Sequence, residues 1–270
     1  MKNFNTLVAW LAFCGFSQLA VAQDHHDLKL HVNPRWKQCS FQLDPSLTQE
    51  DWQTFTREAG LVSYFRPLTD ANPMGKKNFE VSLLQWQTAF DDAKPAWNNT
   101  FVHPDSVHWL KETSRLKFPG ITARFGITDR LDAAVYFTKS PGANYGFAGG
   151  QLQYNLINES VKKWSASARA SFVSMYGPED LNFNTIGLEA LASKEFKIYS
   201  DWASVAPYVG VSGHLSNAHE KSERVNLNNE HVLGGQGMVG AVLKISAARL
   251  GVEYSFAKLS TVSFKLGVVF

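Results

Sequence analysis

The C-terminal segment alternates strictly. Val262, Phe264, Leu266, Val268 and Phe270 interleave with Thr261, Ser263, Lys265, Gly267 and Val269, so one face is apolar and the other mostly polar or small. Successive side chains of a strand point to opposite faces, and a period of two therefore marks strand, not helix. The same pattern sets Leu250, Val252, Tyr254 and Phe256 against Arg249, Gly251, Glu253 and Ser255. It also sets Trp164, Ala166, Ala168, Ala170 and Phe172 against Ser165, Ser167, Arg169 and Ser171. Ile121, Ala123 and Phe125 form a further such face, followed by the tight turn Thr128-Asp129-Arg130 and another face of Leu131, Ala133, Val135 and Phe137. Ten runs emerge: 78–90, 116–127, 131–139, 145–157, 163–175, 182–195, 200–214, 230–245, 247–257 and 260–270. The first changes parity between Leu83 and Leu84, with Trp86 following Leu84, which reads as a bulge.

Ahead of the strands the pattern differs. Lys2, the short apolar run Leu7 to Phe16 broken by Gly15, and Ala20-Val21-Ala22 before Gln23 have the layout of a secretory signal peptide over 1–22. That run is too short for a membrane helix, which needs roughly 20 apolar residues. Cys14 falls inside the leader, so its removal leaves Cys39 as a passive, semi-buried thiol. Residues 23–77 read as an N-terminal periplasmic segment with one helix. Thr48 and Asp51 resemble a capping box, and Trp52, Phe55 and Thr56 share one face.

A soluble sandwich also alternates, but its polar face would be rich in Lys, Glu and Asp. The connections decide in favour of a barrel. Those after the second, fourth, sixth and eighth runs are short, and those after the first, fifth and seventh are longer. Short turns at one rim and long loops at the other are the layout of a membrane-spanning barrel, whose single-chain bacterial forms have an even strand number. Both ends of the barrel then fall on the short-turn, periplasmic side.

On these residues, 78–270 resembles the outer-membrane β-barrel proteins of double-membraned bacteria, a broad class with no subfamily indicated. The turn Gly126-Ile127-Thr128-Asp129-Arg130-Leu131 is similar to their periplasmic turns. The last strand, with Phe264, Leu266, Val268 and the terminal Phe270, resembles the signal that their insertion machinery reads. The fold class expected is all-β, an antiparallel transmembrane barrel of about ten strands located in the outer membrane. The partners that this implies are outer-membrane lipid and the barrel assembly machinery.

Composition narrows the chemistry. With 44% apolar, 13% aromatic and 19% charged residues, the chain is neither disordered nor fibrous. Its 26 Lys+Arg against 24 Asp+Glu, net +2, give no electrostatic drive toward nucleic acid. Two Cys cannot build a four-thiolate site. If the apolar face meets lipid, the inward positions carry both signs of charge: Arg124, Asp132, Arg169, Glu189, Arg249 and Glu253, with Lys244 and Lys265. Ten strands leave at most a narrow lumen. Paired charges would either fill it as a stabilising plug or line a porin-like path for a small solute.

Five motifs invite enzymatic or metal readings. Gly235-Gln236-Gly237-Met238-Val239-Gly240 fits G-x-G-x-x-G, but no helix follows to receive a pyrophosphate. His214-Leu215-Ser216-Asn217 resembles the His-x-Ser-Asn run of outer-membrane lipid A deacylases, where His activates Ser and an acid orients the His. Glu220, Glu223 and Glu230 are candidate acids, yet strand parity points His214 and Ser216 inward. Asp91, Asp92 and His214 resemble an omptin protease set only in part, because Ser212 stands where an Asp would be expected. The loop 91–115 is rich in aromatics, including Trp97, Phe101 and Trp109, and reads as an extracellular lid. His103, Asp105 and His108 within it are a weak candidate metal set, as are His25, His26 and His31 in the tail. The reading adopted is a non-enzymatic barrel without cofactor, structural or a narrow solute path under a lid. An outer-rim hydrolase using His214 and Ser216 is the alternative.

Overall fold

The computed structural model describes residues 39–102, 111–112, 114–139, 142–199 and 202–270. The leader 1–22, the tail before Cys39, and His103, Asp105 and His108 lie outside these residues.

Ten antiparallel strands form the wall: β1 (Phe79–Ala89), β2 (Arg115–Gly126), β3 (Leu131–Lys139), β4 (Gly146–Ile157), β5 (Ser165–Tyr176), β6 (Leu181–Ser193), β7 (Ala203–Glu220), β8 (Glu230–Ile245), β9 (Ala248–Phe256) and β10 (Thr261–Val269). Each pairs with the next, and β10 pairs with β1 from Thr261↔Thr88 to Val269↔Glu80, so the barrel is closed. Phe270 completes the seam: its N–H donates to the Phe79 carbonyl at 2.8 Å and its ring stacks on Phe79 at 4.8 Å. Closure removes the unpaired edges that no strand can leave in hydrocarbon.

The outward positions are the alternating apolar set. Val81, Ile121, Val135, Leu152, Leu188, Val211, Val239, Val252 and Phe264 are all exposed around the circumference. Phe79, Phe125, Trp164 and Trp202 ring the rim that carries the barrel's ends, called here the terminal rim, and Phe137 stacks on Tyr176 toward the opposite, loop rim at 5.6 Å. An apolar band between aromatic girdles is the construction of an outer-membrane β-barrel. On β6 to β8 the band stops short of the loop rim. There Asn217 Nδ2 donates to Asn184 Oδ1 at 2.8 Å and His231 Nδ1 meets Asn217 Oδ1 at 2.6 Å, so these strands project past the lipid.

Two expectations about the wall need correction. β1 has no bulge, because its registers with β2 and β10 are continuous. Leu84 and Trp86 keep the inward parity of Glu80 and Ser82, and they are apolar because what they face is not water. The loop after β5 is not long either: it spans only 177–180, and the loop rim owes its bulk to 90–114 and 221–229.

The larger correction concerns residues 39–77, the described part of the N-terminal segment. The expected helix is present as α1 (Gln49–Ser63), with Thr48 Oγ1 accepting from the Asp51 N–H and Glu50 and Asp51 in the first turn. It ends at Tyr64, two residues before Arg66-Pro67, where proline disfavours helical backbone at the preceding position. The segment that carries it does not hang in the periplasm but fills the barrel. Every residue from Glu58 to Ala71 is buried, Arg66 and Asp70 included. Glu50 and Gln53 in the first turns of α1 are exposed, but from Glu58 to Ser63 the helix is buried all round and so is surrounded by protein; it packs against β6, β7 and β8.

Around α1 lies one apolar core in the loop-rim half of the lumen. Trp52, Phe55, Leu61, Val62 and Phe65 of the segment meet Leu84, Trp86, Leu116, Phe118, Phe147 and Phe183 of the wall. Phe55 stacks on Trp52 at 5.5 Å and meets Trp97 edge-on at 5.2 Å. Full burial of each such side chain is worth about 1.5–3 kcal/mol. On β1 and β2 the loop-rim half of the wall is thus largely apolar on both faces.

Candidate functional site

The chain enters at the loop rim and descends. The Cys39 N–H donates to Gly142 O at 2.8 Å, and Ser40–Phe41 pairs antiparallel with Phe101–Val102 of the β1–β2 loop. Leu43 N–H bonds the Asp180 carboxylate at 3.0 Å, and the Asn228 N–H bonds Gln49 Oε1 at 2.8 Å. Glu58, with no exposed surface, accepts from Trp97 Nε1 at 2.7 Å, Lys94 Nζ at 3.2 Å and Lys258 Nζ at 3.1 Å. The loops after β1, β3, β5, β7 and β9 therefore all hold the segment.

Burial works against the Glu58 charge, but the Trp97 N–H and the two lysines outweigh it and keep the carboxyl below its ordinary value of 4.5. A carboxyl depressed in the folded state contributes stability that is complete above its unfolded value and lost as pH falls through the folded one. The stability gap between the protein and Glu58→Gln should accordingly narrow on acidification below pH 4.5. Melting temperatures measured across about pH 3 to pH 7 check this, and a constant gap contradicts it.

Below α1 the chain runs extended, and its peptide groups need partners that no regular structure supplies. The segment's own Arg66 and the inward polar residues of the wall provide them. Arg66 donates to Leu61 O at 2.7 Å, Tyr64 O at 2.9 Å, Gln236 Oε1 at 3.0 Å and Ser255 Oγ at 3.3 Å. Trp86 Nε1 reaches Val62 O at 3.1 Å. Arg169 donates to Thr69 O and Oγ1, both at 2.7 Å, and to Glu189 at 2.6 Å. Asn155 Nδ2 bonds Ala71 O and the Ser193 hydroxyl accepts from Ala71 N–H, each at 3.0 Å. The Asp132 carboxylate accepts from Met74 N–H at 3.0 Å and pairs with Arg124, which also donates to Asn72 O at 3.1 Å. Strand positions expected to pair across an open lumen thus pair with neighbouring strands and with the segment.

Glu253 and Arg249 depart from the expected pairing. Glu253 accepts from Tyr208 OH at 2.8 Å and Ser255 Oγ at 3.0 Å, and no arginine pairs with it among the described residues. Arg249 stands at the terminal rim and donates to Ser246 O and Ala248 O, because the tight β8–β9 turn presents those carbonyls to it. Beside it a cavity of about 100 Å³ opens between the end of the segment and the wall. Both of its lysines have carboxylate partners: Lys244 with Asp70 at 2.5 Å and Lys265 with Glu80 at 2.7 Å.

His214 and Ser216 are neighbours on the inward face of β7, and both are buried. Neither ring nitrogen of His214 and no atom of the Ser216 hydroxyl has a hydrogen-bond partner, so no Ser–His contact forms. What covers them is the helix backbone: a Cβ at Gly60 would collide with Ser216 Oγ and come within 3.2 Å of His214 Nε2. Glu230, a candidate orienting acid, is instead held by Gln49 and Gln53 at the start of α1. The arrangement has no nucleophile, base and acid in sequence of contact. The Gly235–Gly240 run lies wholly within β8 and opens no helix; Gly240 leaves room for the Tyr208 ring. Among the described residues no group of His, Cys, Asp and Glu could hold a metal.

No family model and no curated protein matches this sequence. Among solved structures the chain is similar to Ail, the attachment invasion locus protein of Yersinia pestis, at 11% identity over 72% of this chain and 99% of that one, TM-score 0.30. It is similar to an outer membrane channel from Pseudomonas putida F1 at 12% identity, 77% and 100% coverage and TM-score 0.42. Omp33 of Acinetobacter baumannii gives 8%, 73%, 100% and 0.33. All three are outer-membrane barrels; likeness at this level says nothing about activity.

Proposed function

We propose that the protein is an integral outer-membrane barrel held shut by its own N-terminal segment, a non-enzymatic anchor and closed wall with its loop rim outside. The observation that carries this is the unbroken burial from Glu58 to Ala71, by which the segment fills the lumen. The described part of the loop 91–115 adds a cover, since Trp97 and Phe101 are buried in the same core as α1. A leader over 1–22 and assembly through the Phe270 signal complete the reading.

A gated path is the second reading, favoured by one observation. On the β7 side the wall meets α1 through unbonded polar groups, His214 and Ser216, so this is the face along which a small shift of the helix would let water in. Planar-bilayer recordings of the refolded protein test the proposal. Silence at ordinary voltages is expected, and steady ion steps from the unaltered chain would overturn it.

A further inference from the structure

We infer that the barrel carries the part of the chain before Cys39 to the loop-rim side of the membrane, so that this protein displays its N-terminal tail on the face opposite to its C-terminus. This rests on the closed-barrel reading above and deepens it. The argument is topological. At Gly75 to Phe79 the chain is at the terminal rim, where Lys77 N–H bonds Gly126 O at 3.1 Å and β1 begins. Traced backwards it passes Asp132, Arg169, Thr185 and His214 on the wall, and it reaches the loops after β1, β3 and β5 at Phe41, Cys39 and Leu43. It therefore crosses the whole barrel from inside.

The position of the exit is fixed by the pairing of Cys39 and of the residues after it with two loops. The Cys39 N–H bonds Gly142 O at 2.8 Å and its carbonyl accepts from Asn144 N–H at 2.9 Å, while Gln42 and Asp44 N–H bond Thr100 and Asn99 carbonyls, each at 2.9 Å. A turn back into the lumen is closed off, because the space beneath is filled by Trp52, Phe55, Trp97 and Phe101. If cleavage follows Ala22, the remainder begins at Gln23, holds no cysteine before Cys39, and so carries no internal disulfide to unfold. Fully extended it reaches at most about 55 Å beyond the rim. Its composition, with Asp24, His25, His26, Asp27, Lys29 and His31, is that of a solvated segment.

Single-cysteine labelling of the full chain in cells tests this. His31→Cys marks the tail, Glu223→Cys the loop rim and Asp129→Cys the terminal rim; Cys39 is buried and stays unlabelled. A membrane-impermeant maleimide should label positions 31 and 223 on intact cells and position 129 only after permeabilisation. A residue-31 thiol that follows position 129, or that is unreactive in both states, overturns the inference. Reversed labelling of 223 and 129 overturns the outer-facing orientation proposed above but leaves this inference standing if 31 still follows 223. Trypsin on intact cells gives a second readout from the unaltered chain. Cleavage after Lys29, Arg35 or Lys37 is expected, and complete protection of these bonds counts against display.

Discussion

Arg169→Ala is expected to cost about 3–5 kcal/mol of folding stability, the usual penalty for removing one member of a buried ion pair. The side chains of Arg169 and Glu189 are 1% and 2% exposed, so alanine leaves the Glu189 carboxylate buried in the lumen without its guanidinium partner. It also takes the donors from Thr69 O, Thr69 Oγ1 and Asp70 O, which lie on the extended part of the segment. Two effects therefore add: an uncompensated charge and orphaned carbonyls. Arg169→Met combined with Glu189→Met removes the charge problem and should recover most of the loss. Urea unfolding of the barrel refolded in lipid vesicles reads both. A midpoint for Arg169→Ala indistinguishable from that of the parent would mean that Arg169 does not clasp the segment.

Gly60→Leu should convert a silent barrel into a leaky one. Gly60 sits where α1 touches β7, and even a Cβ collides with Ser216 there, while the ring of His214 closes the other side. A leucine can be accommodated only if the helix moves off the wall, because β7 is held in register by both β6 and β8. The groups then uncovered are His214 and Ser216, which have no protein hydrogen-bond partner and would bind water readily. Ion steps absent from the parent should appear in planar bilayers, with the barrel's heat-modifiable mobility retained. Continued silence from a correctly folded Gly60→Leu protein would contradict the placement of α1 against β7.

The wall is legible from alternation because a lipid-facing strand has one chemical rule for its outer face. The run 78–90 corresponds to Phe79–Ala89 and 247–257 to Ala248–Phe256. The alternating run of β7 ends at His214, but the strand continues to Glu220. Beyond the bilayer its outward residues become Asn217 and His219, and the apolar signal stops while the hydrogen-bonded ladder continues. The helix start is legible in Thr48 and Asp51, since capping is local. The place of the helix is not, because periodicity says which residues are apolar and not what they will face. One signal is present: Leu84, Trp86, Leu116 and Phe118 put apolar side chains on the inward parity, beside the dense run Leu61, Val62, Tyr64, Phe65. A barrel wall apolar on both faces needs an apolar filling, and an amphipathic wall with a polar lumen does not. The parity change in β1 marks that filling rather than a bulge. The inward charges mislead for a related reason: an extended chain within the lumen makes the wall supply hydrogen bonds to its backbone, and from the sequence those residues look like partners for one another.

The most direct test of the segment's place inside the barrel is a disulfide between α1 and the wall. The hydroxyls of Ser63 on α1 and Thr185 on β6 lie 3.0 Å apart, a separation that two cysteines can bridge with little adjustment. Ser63→Cys with Thr185→Cys, in a Cys39→Ala background that leaves no other thiol after the leader, should oxidise spontaneously in the assembled barrel. Mass spectrometry should find the two peptides joined, and the joined form should be silent in bilayers. Two reduced, separately reactive thiols in a correctly folded barrel would contradict a helix in the lumen.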